Sequence, residues 1–211
     1  MRLFDFAPAP NPRRVRMFLA EKSVEIPMVQ VNTREREQFD EAFVAKNPLK
    51  AVPVLELDDG TYISESVAIC RYIEETHPDP ALMGTDAKDK AIVEMWNRRV
   101  ELTGYAAASE AVRNSLPMFA DRGLSGVPGG VPQIPALVDR GKQTLGRFFN
   151  LLNGQLAETP FVAGSAFTIA DITAFVTIEF AKRADVEIPA TGAENVARWH
   201  AEIASRPSAS A

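Results

Sequence analysis

The first third of the chain alternates strand patterns with helical patterns. Residues 2–6 and 26–31 are short apolar runs typical of strands. Between them, apolar residues recur at helical spacing, and a short polar helix is predicted over residues 35–45. Asn11 and Pro12 suit the N-cap and the first position of the first helix. We therefore expect that helix to begin at Pro12.

Residues 54–57 and 61–64 are two further strand patterns, separated by Asp58-Asp59-Gly60. The Asp-Gly pair favours a tight primed turn, so a β-hairpin is predicted. A helix with Ser66 as its N-cap is predicted over residues 66–75. Strand, helix, strand, helix, hairpin and helix, in that order, predict a thioredoxin-like α/β domain with a mixed sheet over residues 1–77.

The remaining sequence has no strand pattern. Residues 76–86 are rich in turn formers and suit a linker, so residues 87–211 are predicted to form an all-α helical domain. Residues 115–135 form a loop long enough to suggest a function, with a mobile excursion as the alternative. An unstructured tail is expected at the end. The predicted helices span residues 88–114, 136–157, 168–184 and 193–205.

Thr168 and Asp171 have the spacing of a capping box in front of an apolar run, with Asp in place of the usual Glu or Gln. A capping box satisfies the free N–H groups at the start of a helix, so we assign this motif to folding. Loss of either side chain is expected to cost about 1 kcal/mol or more of stability.

Composition excludes some classes of partner. A net charge of −5 and a pI near 5.2 argue against nucleic acid or an anionic membrane as the main partner. The most apolar stretch contains Asp171 and Glu179 and is too short to span a bilayer comfortably. The sequence begins without the basic and apolar regions of a signal peptide, so we expect a cytoplasmic protein.

The sequence offers few groups for redox or metal chemistry. Cys70 is the single cysteine and cannot form an internal disulfide, which fits a reducing compartment. Its helical position favours a packed core thiol over a nucleophile. His77 and His200 have no Cys, Asp or His at ligand spacing, so no metal site is expected.

Residues 47–66, NPLKAVPVLELDDGTYISES, predict a binding site. Pro53 opens a strand, and if its peptide bond is cis, the N–H and C=O of Val52 face outward as a free edge for an extended peptide. Ser66 lies at a helix N-terminus, where N–H groups and the helix dipole favour a carboxylate. The free edge and the anion site together predict a site for a small acidic peptide.

The order NPxxxVPVL, hairpin and Glu65-Ser66 resembles the glutathione-binding half of the cytosolic glutathione transferases. With PNPRRVRMFLAEK upstream and FTIAD downstream, the resemblance covers nearly the whole chain. It implies the glutathione transferase fold, glutathione as co-substrate, no metal, and a small electrophilic or disulfide second substrate. It also implies a homodimer in the cytoplasm.

The resemblance assigns glutathione contacts residue by residue. The γ-glutamyl carboxylate would meet Ser66, its amine Glu65, and the cysteinyl backbone Val52. Without the resemblance, Ser66 would be only an N-cap and Glu65 only a turn carboxylate. The full set implied to bind glutathione is Gln38, Lys50, Val52, Pro53, Glu65 and Ser66.

A transferase must bind glutathione as a thiolate, and lowering its thiol pKa from about 8.5 by about two units takes roughly 2.7 kcal/mol. The family places a hydroxyl or thiol donor in residues 7–12, but this loop contains none, and Ala9 stands where serine-type members have their hydroxyl. Asn11 is the remaining side-chain donor. It matches a bacterial, nu-like subgroup with Thr-Pro-Asn at this site. Asn11 would donate to sulfur, cap the helix through the Arg14 N–H, or do both.

Two further groups of residues are candidates for the site. Ala9, Tyr105, Ser109 and Phe119 are expected to line the electrophile pocket, with core packing as the alternative for the aromatics. Arg13, Arg14 and Arg16 crowd the start of the first helix, where positive charge is unfavourable for the helix dipole. A nearby thiolate or anionic substrate would offset this, but at least two of the three are expected on a solvated face.

Glutathione transfer to a small electrophile is the predicted function. Glutathione-dependent disulfide or peroxide reduction is the near alternative. A non-catalytic interaction module of the same fold is the alternative from another class, and the absence of a hydroxyl at Ala9 keeps it open.

Overall fold

The computed structural model describes all 211 residues. Its N-terminal part is a four-stranded sheet in the order β2-β1-β3-β4, formed by β1 (Arg2–Asp5), β2 (Met28–Gln30), β3 (Val54–Glu56) and β4 (Tyr62–Ser64). β1 pairs in parallel with β2 and antiparallel with β3, which pairs antiparallel with β4. The sheet is therefore mixed, as predicted. Its helices are α1 (Pro10–Glu21), α2 (Glu41–Val44) and α3 (Ser66–Thr76).

Two local predictions in this part were wrong. The helix predicted over residues 35–45 is divided into a 3₁₀ turn, Glu37–Phe39, and the single-turn α2, because Asp40 between them is extended (φ −62°, ψ 138°). The hairpin turn is not primed: of its residues only Gly60 has positive φ (+85°), whereas a type I′ turn needs two such residues. The Asp59 carboxylate accepts the Thr61 N–H, which stabilises the observed turn.

The C-terminal part is entirely helical. The helix predicted over residues 88–114 contains a π turn, Glu101–Tyr105, so it is described as two helices. Gly104 within the turn packs so closely on Phe148 that a Cβ would lie 3.0 Å from its ring. The helices are α4 (Ala87–Val100), α5 (Ala106–Ser115), α6 (Pro135–Glu158), α7 (Ile169–Ala181) and α8 (Glu194–Ala204).

The C-terminal tail is ordered against α1, contrary to the sequence-based prediction. Residues Pro207–Ser210 form a 3₁₀ turn. Arg206 and the Ser208 hydroxyl both bond to Glu21, and the Ala209 carbonyl accepts from Arg13 at 2.8 Å. Small side chains let this segment lie close to the helix while its polar groups find partners there.

One hydrophobic core runs through both parts, with α1 packed between α3 and α7. Trp96 and Trp199 are buried in it, as is Cys70. Burial raises the pKa of the Cys70 thiol to about 12, so this cysteine is an inert core residue as predicted. None of the helices combines the length and apolar character needed to cross a bilayer.

The capping box before α7 is present. Asp171 accepts the Thr168 N–H at 2.9 Å, and the Thr168 hydroxyl caps the first turn. Asp171 also accepts the N–H groups of Val162 and of the Trp199 indole, each at 2.9 Å. Burial raises the pKa of Asp171 to about 6, although these hydrogen bonds oppose the rise. The motif therefore joins three segments of the core.

Candidate active site

A cavity of about 260 Å³ lies between the two parts of the molecule. Its first wall comes from the β1–α1 loop, the segment before α2 and residues 50–52, and its second wall from α5, residues 118–127 and the end of α7. Eight of the predicted site residues line it: Ala9, Asn11, Gln38, Lys50, Val52, Tyr105, Ser109 and Phe119. Pro53, Glu65 and Ser66 are not part of this lining.

The N-terminus of α1 faces the cavity without a side-chain cap. The helix begins at Pro10 with Ala9 as its N-cap, two residues before the predicted start at Pro12. Ala9 is extended, and its carbonyl accepts the Arg13 N–H at 3.2 Å. Asn11 therefore lies inside the first turn, and its side chain caps nothing. The capping interpretation of Asn11 was wrong.

Asn11 is the only free hydrogen-bond donor in that turn. Pro10 and Pro12 have no N–H, and the Arg13 N–H is bonded to Ala9. Neither the backbone N–H nor the side-chain amide of Asn11 has a partner within the protein. A ligand at this helix end would meet one backbone donor and one side-chain donor, both from Asn11.

The arginines after Asn11 are structural, and the expected solvated face was wrong. Arg14 is 1% exposed and pairs with Glu101 at 2.6 Å. Arg16 pairs with Asp5 at 2.6 Å. Arg13 is bonded to the tail, and none of the three lines the cavity. Their charges have internal partners because α1 is packed between the two parts of the molecule.

The segment before β3 presents an unpaired backbone edge. The Val52–Pro53 peptide bond is cis, and neither the N–H nor the C=O of Val52 has a hydrogen-bond partner. Asn47, 2% exposed, holds the segment: its side-chain amide donates to Ala51 O at 2.8 Å and its oxygen accepts the Leu49 N–H at 3.0 Å. Asn47 is a positioning residue that sequence analysis missed, although it opens the quoted motif.

Glu65 and Ser66 follow the hairpin. The antiparallel strands β3 and β4 pair Val54 with Ser64. Pro53 comes just before Val54 and Glu65 just after Ser64, so Pro53 and Glu65 lie side by side. The N-cap of α3 is Glu65 and not Ser66, which corrects the prediction. Glu65 has φ +69°, a strained conformation for a residue with a side chain.

The first turn of α3 is a candidate anion site. The N–H groups of Ser66, Val67 and Ala68 have no partner, and the Ser66 hydroxyl makes no hydrogen bond. Free N–H groups and the helix dipole favour a carboxylate at such an end. This site continues the Val52 edge beyond the cavity lining.

Positive charge dominates the cavity. Six cationic side chains line it, no Asp or Glu does, and none of the six forms an ion pair. Sequence analysis identified only Lys50, because the others come from separate segments of the chain and follow no pattern. The six are Arg34, Arg36, Lys50, Arg113, Arg122 and Arg183.

The long loop after α5 closes one side of the cavity. Arg122 donates to Thr33 O at 2.9 Å and to Arg34 O at 3.1 Å. Arg36 donates back to Pro128 O at 2.9 Å. Gly126 (φ +77°) approaches the other wall so closely that a Cβ would lie 2.5 Å from Leu49 O. The loop thus connects the two walls.

Tyr105 ends the π turn and faces the cavity. Its ring stacks on Phe180 with centroids 5.9 Å apart, and the Arg14 guanidinium lies 5.2 Å from its centroid. Burial raises the pKa of Tyr105 to about 12, so its hydroxyl is a neutral donor at physiological pH. π turns inside α-helices are frequent at functional sites.

Comparison with known proteins supports this architecture. Residues 9–76 match the family model for the glutathione S-transferase N-terminal domain, and residues 135–202 match the model for the C-terminal domain. Glutathione S-transferase 2 of Saccharomyces cerevisiae is 32% identical over 99% of this chain and 87% of its own length.

Two solved structures are similar over almost their whole length. A glutathione S-transferase domain-containing protein of Marinobacter aquaeolei is 37% identical, with a TM-score of 0.89 and 99% of both chains covered. Gtt2 of Saccharomyces cerevisiae is 31% identical, with a TM-score of 0.90, covering 100% of this chain and 99% of that one.

A thioredoxin-like domain joined to a helical domain, with a cleft between them, defines the transferase class built on this fold. The chain belongs to the glutathione S-transferase family. Similarity to named transferases over 99% of the chain identifies it as an enzyme and disfavours the non-catalytic module.

Proposed function

We propose that this enzyme binds glutathione across the first wall of the cavity and transfers it to a small electrophile. The observation that carries the proposal is the continuous set of unpaired groups formed by Asn11, the backbone of Val52 and the N-terminus of α3. An extended tripeptide with a carboxylate at each end matches them. The cysteinyl backbone pairs with Val52 beside Pro53, and the γ-glutamyl carboxylate binds at Ser66.

The remaining contacts follow from position. The γ-glutamyl amine lies near Glu65, the exposed carboxylate beside that site. Gln38 and Lys50 line the cavity where the glycine end would extend, and the buried Gln38 Oε1 has no partner within the protein. A buried amide oxygen without a partner costs stability, which a ligand N–H recovers.

Asn11 is proposed to hold the thiolate. Its backbone N–H and side-chain amide donate to sulfur while the α1 dipole adds positive potential. Asn11 cannot accept the proton, which passes to solvent. Roughly 2.7 kcal/mol of preferential stabilisation lowers the thiol pKa by about two units, and two donors at a helix terminus reach that value. A free Asn11 in a loop without a hydroxyl supports assignment of the enzyme to the Asn-type, nu-like bacterial subgroup.

Three further expectations belong to this proposal. Residues 1–77 act as the glutathione-binding domain and residues 87–211 supply the electrophile pocket, including Ala9 from the first wall and Tyr105, Ser109 and Phe119 from the second. The enzyme acts as a cytoplasmic homodimer in detoxification. Neither a metal nor a nucleic-acid or membrane partner takes part.

Calorimetry with glutathione tests the binding site. The unmodified enzyme should bind with a Kd in the micromolar to millimolar range, and Ser66→Ala should weaken binding at least tenfold, about 1.4 kcal/mol. Ser205→Ala is the control, because Ser205 lies at the exposed end of α8. Absence of binding heat with the unmodified enzyme over a range of temperatures would refute the proposal.

Glutathione-dependent reduction is the second candidate. The free Asn11 amide, in a loop without any hydroxyl, matches the subgroup associated with disulfide reduction. Rates with an aryl halide and with a model disulfide, at the same glutathione concentration, decide between conjugation and reduction. A disulfide rate far above the aryl halide rate would make reduction the main activity.

A further inference from the structure

The cavity carries more positive charge than glutathione requires. Glutathione has two carboxylates and one ammonium, and its thiolate form has a net charge of about −2 at neutral pH. The cavity has six cationic side chains and no acidic ones, although the whole chain has a net charge of −5. The excess therefore marks this cavity and does not reflect the composition of the protein.

The cations divide between the two walls. Arg34, Arg36 and Lys50 lie on the first wall, where the glycine carboxylate is proposed, and Arg122 is bonded to carbonyls of that wall. Two cations of the second wall make no hydrogen bond to the first wall and have no anion assigned to them. These two are Arg113 and Arg183.

Arg113 is incompletely satisfied. Its Nη2 donates to the Arg122 carbonyl, but its buried Nε has no hydrogen-bond partner. Burial also lowers the pKa of Arg113. A partly buried guanidinium without a carboxylate destabilises the free enzyme, and an anionic ligand would offset that cost.

Both arginines border an aromatic surface. The Arg113 guanidinium lies 4.8 Å from the Phe119 centroid, and that of Arg183 lies 5.9 Å from the Phe180 centroid. Arg183 also contacts the Met118 sulfur at 3.6 Å. An electrophile with a flat apolar body and an anionic edge matches this arrangement.

We propose that the electrophile is an aromatic or conjugated carboxylate, bound with its ring against Phe119 and Phe180 and its carboxylate on Arg113 and Arg183. The inference rests on the proposed transferase function. With an aryl chloride as the electrophile, the reaction is an aromatic substitution, in which the glutathione sulfur forms a C–S bond to the ring carbon that bears chlorine. The C–Cl bond breaks with its electron pair to release chloride, and the thiol proton goes to solvent.

Two aryl chlorides of different charge test the proposal. 4-Chloro-3,5-dinitrobenzoate carries the carboxylate, and 1-chloro-2,4-dinitrobenzene lacks it. The measured quantity is the ratio of kcat/KM for the anion to kcat/KM for the neutral compound, at saturating glutathione and relative to each uncatalysed rate. We expect a ratio above one for the unmodified enzyme. Arg183→Gln and Arg113→Gln should each lower it about tenfold, the value of one charge-assisted hydrogen bond.

The controls separate charge from folding. Arg147→Gln removes an exposed cation of α6 outside the cavity and should leave the ratio unchanged. Arg183→Lys keeps the charge and should retain a ratio above that of Arg183→Gln. Melting temperatures identify any variant that fails to fold, and the other arginine then carries the test.

The outcomes distinguish this inference from the proposed function. Conjugation of both chlorides with a ratio near one, unchanged by either Gln variant, would overturn the anionic electrophile and leave the transferase intact. Turnover of neither chloride, despite measurable glutathione binding, would overturn the proposed conjugation itself.

Discussion

Two helices of this protein begin in opposite ways. At α7, Thr168 and Asp171 satisfy the first turn, and Asp171 accepts hydrogen bonds from three segments while being fully buried. At α1, the N-cap is Ala9, no side chain caps the helix, and Asn11 has both donors free at the cavity. The first terminus is closed by the protein and the second is left open.

The difference shows how folding and function use the same chemistry. Every helix N-terminus has free N–H groups and a positive end of its dipole. Where side chains of the same chain supply the acceptors, the terminus fixes the fold. Where none does, the terminus can bind an anion brought by a ligand. Substitutions at the two sites should therefore affect different properties.

The largest effect is expected from Asp171→Ala. Three backbone or side-chain N–H groups would lose a buried acceptor, so unfolding free energy should fall by about 3–5 kcal/mol. Urea denaturation measures the loss. Asp86→Ala is the matched control, because Asp86 caps α4 with one hydrogen bond at the surface and should cost about 1 kcal/mol. Equal costs for the two variants would contradict the closed-terminus interpretation.

Asn11→Ala should have the reverse profile. The side chain makes no internal hydrogen bond, so stability should change by less than about 0.5 kcal/mol. Loss of one thiolate donor should lower kcat/KM with an aryl halide by about 10- to 100-fold, or 1.4–2.7 kcal/mol. The pH dependence of the rate should shift upward, since the bound thiol pKa rises. Asn150→Ala, on the exposed face of α6, is the control.

Sequence patterns predicted the closed terminus better than the open one. A capping box is a local signal, because both of its residues lie within one turn. The start of α1 was misplaced by two residues, since Asn11 is a good cap in isolation but Ala9 takes that position when the loop packs. Likewise the mixed sheet was predictable from the order of strand and helix patterns along the chain, whereas the ordered tail depends on its contacts with the surface of α1.

The charge of the cavity illustrates the same limit. Arg113, Arg122 and Arg183 come from α5, the following loop and the end of α7. Nothing in their spacing relates them, and only the packing of the two walls brings them to one cavity. Glycine-, proline- and cap-based rules describe neighbours in sequence, so such a cluster was not predictable from them.

A smaller effect on stability is expected at the C-terminal end of α7, where Glu179 also has partners within the protein. The hydrogen bond from His200, with a further contribution from Lys182, lowers the pKa of Glu179 to about 2 although partial burial opposes it. Because this folded pKa lies below the ordinary 4.5, the stabilisation is complete above pH 4.5 and lost as pH falls toward 2.

Glu179→Gln should therefore reduce stability by about 1 kcal/mol at pH 7, a value discounted for the partial exposure of the side chain. The difference from the unmodified enzyme should shrink between pH 4.5 and pH 2, as measured by urea denaturation at each pH. Glu202→Gln, a half-exposed carboxylate on α8, should change stability by less than about 0.5 kcal/mol. A loss that stays constant with pH would exclude the ion pair as its cause.

The smallest effect is expected from closing the open terminus with Ala9→Ser. A serine hydroxyl at the N-cap could accept only the Asn11 N–H, since the next position, Pro12, has none. The stability gain should therefore stay near 0.5 kcal/mol, at the lower limit for a cap. Glutathione binding then decides which role the Asn11 N–H has. The pKa of the bound glutathione thiol is read from thiolate absorbance. If the thiolate needs the Asn11 N–H, this pKa should rise in Ala9→Ser. If the new hydroxyl itself donates to sulfur, the pKa should not rise. Ala9→Gly, which like Ala9 offers no side-chain acceptor or donor, is the control and should leave the bound thiol pKa unchanged.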